Sequence, residues 1–362
     1  MEKWSKEKIW NWYNSRPWIR GVCYYPSIAV NRIDFWQELH WEEMKECMEK
    51  EFVVMEDWGF NTLRMSLSLD LYMLDKEVHL KHIDEFLEIC ERHHLQVMLT
   101  FMSDCSVPKK LYEPPKIGPQ SFDLGYHSGR IISPNIAIDE PGYIPLDDEN
   151  IREQYYQMVH DIVSKYKNDE RIVIWDICNE PGNGLRKMRS ISYIEKTFEI
   201  VRSYNPIQPC GTGCWSYKDN KPFEEIELLT LEMSDIILYH CYMKNEDCIA
   251  VSQYLLDTYQ RPIINSEWLH RIWHNDVDVL FPFFRKNKIG CLNWGFVAGK
   301  TQTYLPWEWL FNEYDKGHGR DWDFTKWQHD LVRANLRPYD YNEYHIIKNE
   351  CSIADEEYSN KR

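Results

Sequence analysis

Short apolar runs alternate with longer amphipathic stretches over most of the chain. The runs at 19–24, 61–68, 95–102, 171–178, 208–215, 236–241, 262–266 and 289–294 have the length and composition of strands. Apolar positions recurring every three or four residues predict helices over 41–58, 79–94, 150–167, 187–204, 247–260 and 276–288, with Gly59 placed to stop the first. One more helix is expected near 324–335, and the charged end at 348–362 is expected to fray. Strands separated by helices pair in parallel, because each crossover returns the chain to the same edge. Eight of them close a (β/α)8 TIM barrel, an α/β fold spanning 1–362 as a single domain. An open doubly wound sheet is the alternative. It carries a Gly-rich phosphate turn after its first strand, which Gly21-Val22-Cys23-Tyr24-Tyr25-Pro26 is not.

The segment 103–148 breaks this rhythm. It is rich in proline and glycine and too long for a simple connection, yet it carries Tyr112, Phe122, Tyr126, His127 and Tyr143. An insertion after the third strand lies at the end of a barrel where active sites form. It is expected to wall a substrate cleft; the plainer alternative is a stretch packed over the barrel rim.

A net charge of −16 argues against nucleic acid or an anionic membrane as partner. Aromatic residues are plentiful, with 16 Trp and 23 Tyr, and such rings stack on the apolar faces of sugars as well as filling cores. The start, Met1-Glu2-Lys3-Trp4-Ser5-Lys6-Glu7-Lys8, is charged and leads into no apolar signal segment, so a cytoplasmic location is expected. The 11 cysteines are odd in number and scattered through strands and helices, the pattern of reduced, buried thiols rather than a disulfide framework. Cys210 and Cys214 lack zinc spacing, and neither a metal nor a cofactor is expected. Oligomeric state is left open.

Candidate chemistry sits at two strand ends. The fourth run leads into Asn179-Glu180-Pro181, and the seventh into Ser266-Glu267-Trp268. In a barrel both acids reach the same mouth from opposite sides. Two carboxylates flanking a glycosidic bond are what its acid-assisted cleavage needs: one protonates the leaving oxygen, the other meets the cation-like sugar carbon. Their separation decides between retention and inversion.

Ile174-Trp175-Asp176-Ile177-Cys178-Asn179-Glu180-Pro181 resembles the strand-four Asn-Glu-Pro motif of glycoside hydrolase clan A, the retaining (β/α)8 enzymes that include cellulases, mannanases and β-galactosidases. Ile264-Asn265-Ser266-Glu267 resembles that clan's nucleophile strand. Arg64 resembles its strand-two arginine, His240-Cys241-Tyr242 its strand-six His-x-Tyr, and Trp294 its strand-eight tryptophan. The likeness is nearest to uncharacterised bacterial proteins of cellulase or 1,4-β-xylanase type, with Arg-Gly-Val-x-Tyr near the start and Trp-Asp-x-x-Asn-Glu-Pro-Gly-Asn in the middle. The resemblance implies a retaining glycosidase with Glu180 as general acid/base and Glu267 as nucleophile. It further implies Arg64 and Tyr242 on the nucleophile, Asn179 on the substrate 2-hydroxyl, and Trp294 under the cleaved sugar. Burial and a second carboxylate are expected to raise the Glu180 pKa.

Further candidates for sugar contact are Tyr25, Asp104, Trp215, Trp268 with His270, and Lys300 with Gln302, all near strand ends. Carbohydrate is the expected partner: a β-glycoside or oligosaccharide, taken by a closed exo-acting pocket because a cytoplasmic enzyme meets imported oligosaccharides, with an open endo-acting cleft as the alternative. Two other classes remain, a metal-dependent barrel isomerase using histidines with acids and a non-catalytic carbohydrate-binding barrel. The first wants histidines at several strand ends, where His240 is the clear case; the second usually lacks one of the two glutamates.

Overall fold

The computed structural model describes residues 2–121, 124, 125, 127, 139–217 and 223–360. Among these, eight parallel strands close into a barrel: β1 (Arg20–Cys23), β2 (Thr62–Ser66), β3 (Gln96–Ser103), β4 (Ile172–Asn179), β5 (Cys210–Cys214), β6 (Ile237–His240), β7 (Ile263–Trp268) and β8 (Gly290–Trp294). Each strand pairs with its sequence neighbours, and β8 returns to β1. The fold is therefore the (β/α)8 barrel, with strands bounded within two or three residues of the apolar runs. The expected helices after β1, β2, β3, β4, β6 and β7 all form. Gly59 ends the first of these with a left-handed φ of +82°.

Two apolar layers hold the barrel. Ile19, Cys23, Met98, Ile174, Leu238, Ile264 and Leu292 fill the inside of the barrel, and the larger cluster packs the helices against its outside. An N-terminal helix, Lys6–Asn14, adds Ile9 and Tyr13 to the inner cluster. Ser5 caps that helix by accepting from Lys8 N at 3.1 Å. Its charged sequence conceals a buried stripe of just two residues.

The far end of the chain departs from expectation. No helix forms over 324–335, and most of the charged end lies instead in a helix, Tyr341–Ser359. Asp340 caps it, Ile347, Cys351 and Ala354 bury one narrow stripe, and Arg20 pairs with Asp355 at 2.8 Å. The stripe is narrow enough for charged residues to dominate the sequence, which reads as a solvated tail. No helix among the described residues is long and apolar enough to cross a membrane. All 11 cysteines are unpaired, and Cys47 and Cys105 are the part-exposed ones.

The inserted segment begins as a small hairpin, Val107–Pro108 pairing with Gly142–Tyr143. From there it runs along the mouth. Gln37 Nε2 donates to Gly118 O at 3.0 Å and Asn31 Nδ2 to Gln120 Oε1 at 3.1 Å, both from the loop after β1. Gly125 N then donates to Gln302 Oε1 at 2.6 Å, beyond β8. The described part of the segment thus crosses from β3 past β1 to β8. Phe122 and Tyr126 lie outside the described residues.

Candidate active site

Register brings the strand ends to one level. Ser103 lies opposite Asn179, Asn179 opposite Gly213, His240 opposite Glu267, and Cys23 opposite both Arg64 and Trp294. Glu180 follows β4 with a φ of +53°, a conformation few residues other than glycine adopt. Its N–H donates to Gly213 O at 3.0 Å, so the turn is anchored to β5 while the side chain points into the mouth. Gly213 also makes room for His240, because a Cβ there would come within 2.6 Å of the imidazole Nε2.

Both carboxylates are almost wholly buried, Glu180 at 7% and Glu267 at 5% exposure. Glu267 Oε1 accepts from Arg64 Nη1 at 2.6 Å, and Oε2 from the Tyr242 hydroxyl at 2.7 Å. Arg64 is held in turn by Asp176 Oδ2, at 2.9 Å from Nε and 2.7 Å from Nη2, and by Asn179 Oδ1 at 2.7 Å. Asp176 also accepts from Thr100 Oγ1 at 2.9 Å. On the other side, His240 Nδ1 lies 2.8 Å from Glu180 Oε1 and 3.5 Å from Glu267 Oε2. Glu180 Oε2 accepts from Cys105 Sγ at 3.0 Å and from Asn183 Nδ2.

A carboxylate oxygen of Glu180, one of Glu267 and a ring nitrogen of His240 all lie within 4.8 Å of one another. That is near the separation of about 5–5.5 Å between the carboxyls of retaining glycosidases, and short of the roughly 6.5–9.5 Å that admits an inverting water. Three such groups could also surround a cation. Here protein donors already occupy both oxygens of each carboxylate, and the guanidinium of Arg64 supplies the positive charge against Glu267.

The electrostatics correct one expectation. Burial pushes the Glu180 carboxyl up, but hydrogen bonds from His240, Cys105 and Asn183 together with the His240 charge outweigh it, so its pKa lies below the usual range. His240, reaching Glu180 from the end of β6, lowers it most, and Cys105 and Asn183 add to that effect. Burial opposes the charge on Arg64, yet Asp176 and Glu267 hold its pKa well above the ordinary value. Burial and Glu267 raise the Tyr242 hydroxyl, which stays protonated as a donor.

The remaining candidates divide. Trp294 and Tyr25 are part-buried at the mouth end of their strands, and Trp215 is part-buried with Nε1 on Pro181 O at 3.3 Å. Trp268 is 1% exposed and packs on Phe281 and Phe284, in the outer core instead of the mouth. This follows from register: Glu267 faces into the barrel, so its strand neighbour faces out. Asp104 is wholly buried and satisfied by the protein, accepting from Gly182 N at 2.8 Å, Arg186 Nε at 3.1 Å and Ser190 Oγ at 2.6 Å. It ties the turn after Glu180 to the insertion instead of facing a ligand. Gln302 is likewise buried under the insertion, while Lys300 is exposed. Buried His270, with His329 and part-buried Trp307, backs Tyr242; the Tyr242 and Trp307 rings are 5.2 Å apart at 87°. Cys105, Asn183 and Trp307 carried no signal at strand ends. Asn183, three residues past Glu180 in a tight turn, was the most accessible to inference.

The family model described as Cellulase (glycosyl hydrolase family 5) matches residues 31–299. No curated protein sequence matches the chain. Among solved structures, the Glycoside Hydrolase Family 5 mannosidase from Rhizomucor miehei aligns over 95% of this chain and 94% of its own, with a TM-score of 0.57 at 15% identity. The endo-β-1,4-mannanase from Thermotoga petrophila aligns over 94% and 78%, with a TM-score of 0.55 at 12% identity. The GH2 β-galacturonidase from Eisenbergiella tayi, bound to galacturonate, aligns over 85% of this chain with a TM-score of 0.50 at 13% identity; the chain spans 47% of that enzyme's length. At these identities the neighbours report a shared fold.

Proposed function

The chain belongs to glycosyl hydrolase family 5, a retaining (β/α)8 glycoside hydrolase of clan A, and we propose that it removes sugars from one end of short β-linked oligosaccharides or glycosides by double displacement. The observation that carries the mechanism is the approach of Glu180 and Glu267 to within 4.8 Å. Glu267, set against Arg64 and Tyr242, attacks the anomeric carbon while Glu180 gives its proton to the departing oxygen. The glycosidic C–O bond breaks as the glycosyl ester to Glu267 forms. Glu180, now ionised, takes a proton from water as that water attacks the same carbon and frees Glu267.

The proton for the first step is carried by Glu180, whose Oε1 lies 2.8 Å from His240 Nδ1. The charge of nearby Glu267 favours that proton's presence. Esterification removes this charge and weakens the hold of Glu180 on a proton when a base is next required. Asn179, held by Arg64, Ser103 and Cys105 beside Glu180, exchanges one of its amide contacts for the sugar 2-hydroxyl.

Support for end-on action comes from the insertion, which the loops after β1 and β8 hold along one side of the mouth. A rim closed on that side favours a pocket over a through-running cleft. An endo-acting reading draws on the rings leading outward from Tyr242: Trp307 stacks on Trp309 at 6.1 Å, and Trp309 is 37% exposed. The fold neighbours include both a mannosidase and an endo-mannanase, which makes β-mannosides the first substrates to try. A panel of p-nitrophenyl β-glycosides, followed by NMR of the first-formed anomer, tests the proposal. Release of the β-anomer supports it, and release of the α-anomer overturns double displacement. End-labelled oligomers distinguish the modes: loss of single sugars from one end supports the pocket, and internal cuts support the cleft.

A further inference from the structure

Cys105 stands two residues beyond β3, against the side chains of Asn179 and Glu180. Its thiol donates to Glu180 Oε2 at 3.0 Å, and its sulfur accepts from Asn179 Nδ2 at 3.2 Å. A longer contact of 3.7 Å comes from Asn183 Nδ2. The backbone around it is fixed. Cys105 N donates to Ser103 Oγ at 3.2 Å, Asp104 N to Asn179 O at 3.0 Å, and the Asp104 carboxylate is locked to Gly182 and Arg186. The backbone that carries the sulfur is therefore tied to β4 and to the turn after it.

The two oxygens of Glu180 have different partners. His240, from β6, holds Oε1, while Cys105 and Asn183 hold Oε2. Glu267 from β7 lies within 4.8 Å, with the Tyr242 hydroxyl on its far oxygen, and Arg64 from β2 reaches this group through Glu267 and Asn179. Burial and the Glu180 charge push the thiol well above its ordinary range, so it remains an S–H donor. A thiol is a weaker donor than a hydroxyl. It can orient a carboxylate while taking less of its basicity than a serine in contact would.

We propose that Cys105 is a positioning residue of the hydrolytic site, bridging Asn179 to Glu180, fixing the side-chain rotamer of Glu180 and tuning its exchange of the catalytic proton. The inference rests on the acid/base assignment of Glu180. Removing a donor from an ionised carboxylate raises its pKa, so the alkaline limb of kcat/KM moves to higher pH. Cys105→Ala and Cys105→Val, the second filling the space without donating, are expected to shift that limb up by about 0.5–1 pH unit. Cys105→Ser restores a stronger donor and brings the limb to the wild-type position or below it. A 13C NMR titration of the Glu180 carboxyl in the same proteins reads the same shift without turnover. Limbs and NMR midpoints in the Ala and Val variants that coincide with wild type overturn the proposal. If the wild type hydrolyses no glycoside, the proposed function fails on its own, and the NMR midpoints still decide the role of Cys105.

Discussion

Arg64 joins Glu267 to the barrel interior: Nη1 lies 2.6 Å from Glu267 Oε1, while the same guanidinium is held by Asp176, two residues inward of Cys178 on β4. All three charges are buried, so each depends on the others. Replacing Arg64 with Met strands two carboxylates without a cation, at a cost on the order of 3–5 kcal/mol. Arg64→Lys keeps the charge but loses the fork that spans Glu267, Asp176 and Asn179. The lysine variant is expected to fold with a lowered melting temperature and to lose about 100-fold in kcat/KM on an aryl glycoside. Wild-type turnover in that variant would reduce Arg64 to a structural ion pair.

The two glutamates are expected to fail differently. Glu267→Ala removes the attacking group and should abolish turnover of every glycoside. Glu180→Ala removes the proton donor, which matters little when the leaving group is an acidic phenol. Its first step on 2,4-dinitrophenyl glycosides should stay close to wild type, while unactivated sugar leaving groups lose about 100- to 10,000-fold. Pre-steady-state kinetics separates that step from deglycosylation. Equal losses on both leaving groups would count against Glu180 as the acid.

The barrel and its chemistry are unequally legible in the sequence. Strands buried on both faces write themselves as continuous apolar runs, and Glu180 and Glu267 stand out because each interrupts one at its end. Their environment is harder to read. Cys105 and Asn183 reach Glu180 through turns whose path no periodicity reports, and they add to the lowering of its pKa that His240 leads. Trp268 and Asp104 stand beside functional positions in sequence but point elsewhere, one by strand alternation and one by capture under Arg186. The terminal helices were obscured for the opposite reason, since each buries two or three residues beneath many charges.

Asp104 and Arg186 give a test of that distinction between neighbourhood and contact. Both are wholly or almost wholly buried, and Arg186 also spans Asp147 at 2.8 Å and Gly142 O at 2.8 Å. A double-mutant cycle of Asp104→Asn and Arg186→Met, followed by urea denaturation, is expected to show a coupling of at least about 1 kcal/mol. The losses of the two single variants should sum to more than the loss in the double variant. Additive losses would show that the two side chains do not act together.

Asp330 supplies a pH dependence of stability separate from catalysis. Its buried carboxyl contacts Thr303 Oγ1 at 2.9 Å through both oxygens, behind Gly295, where a Cβ would come within 2.2 Å of Oδ1. Burial outweighs the pull of Thr303 and Arg271 and raises its pKa to about 7 from 3.8. A carboxyl whose folded pKa lies above its unfolded value gives stability that is fully present below the unfolded pKa and is lost as pH rises through the folded one. The window for this loss therefore runs from about pH 4 to about pH 7. Buried His127, with a pKa lowered to about 4, and His270, lowered to about 3, act in the other direction, losing stability as pH falls below their unfolded range. Comparing Asp330→Asn with wild type at each pH cancels those histidines, because both proteins contain them. The stability of the variant relative to wild type is expected to rise between pH 5 and pH 8 by roughly 2–3 kcal/mol. Urea denaturation curves at four or five pH values measure the difference directly, and a constant offset across that range would mean that Asp330 is ionised in the folded protein throughout.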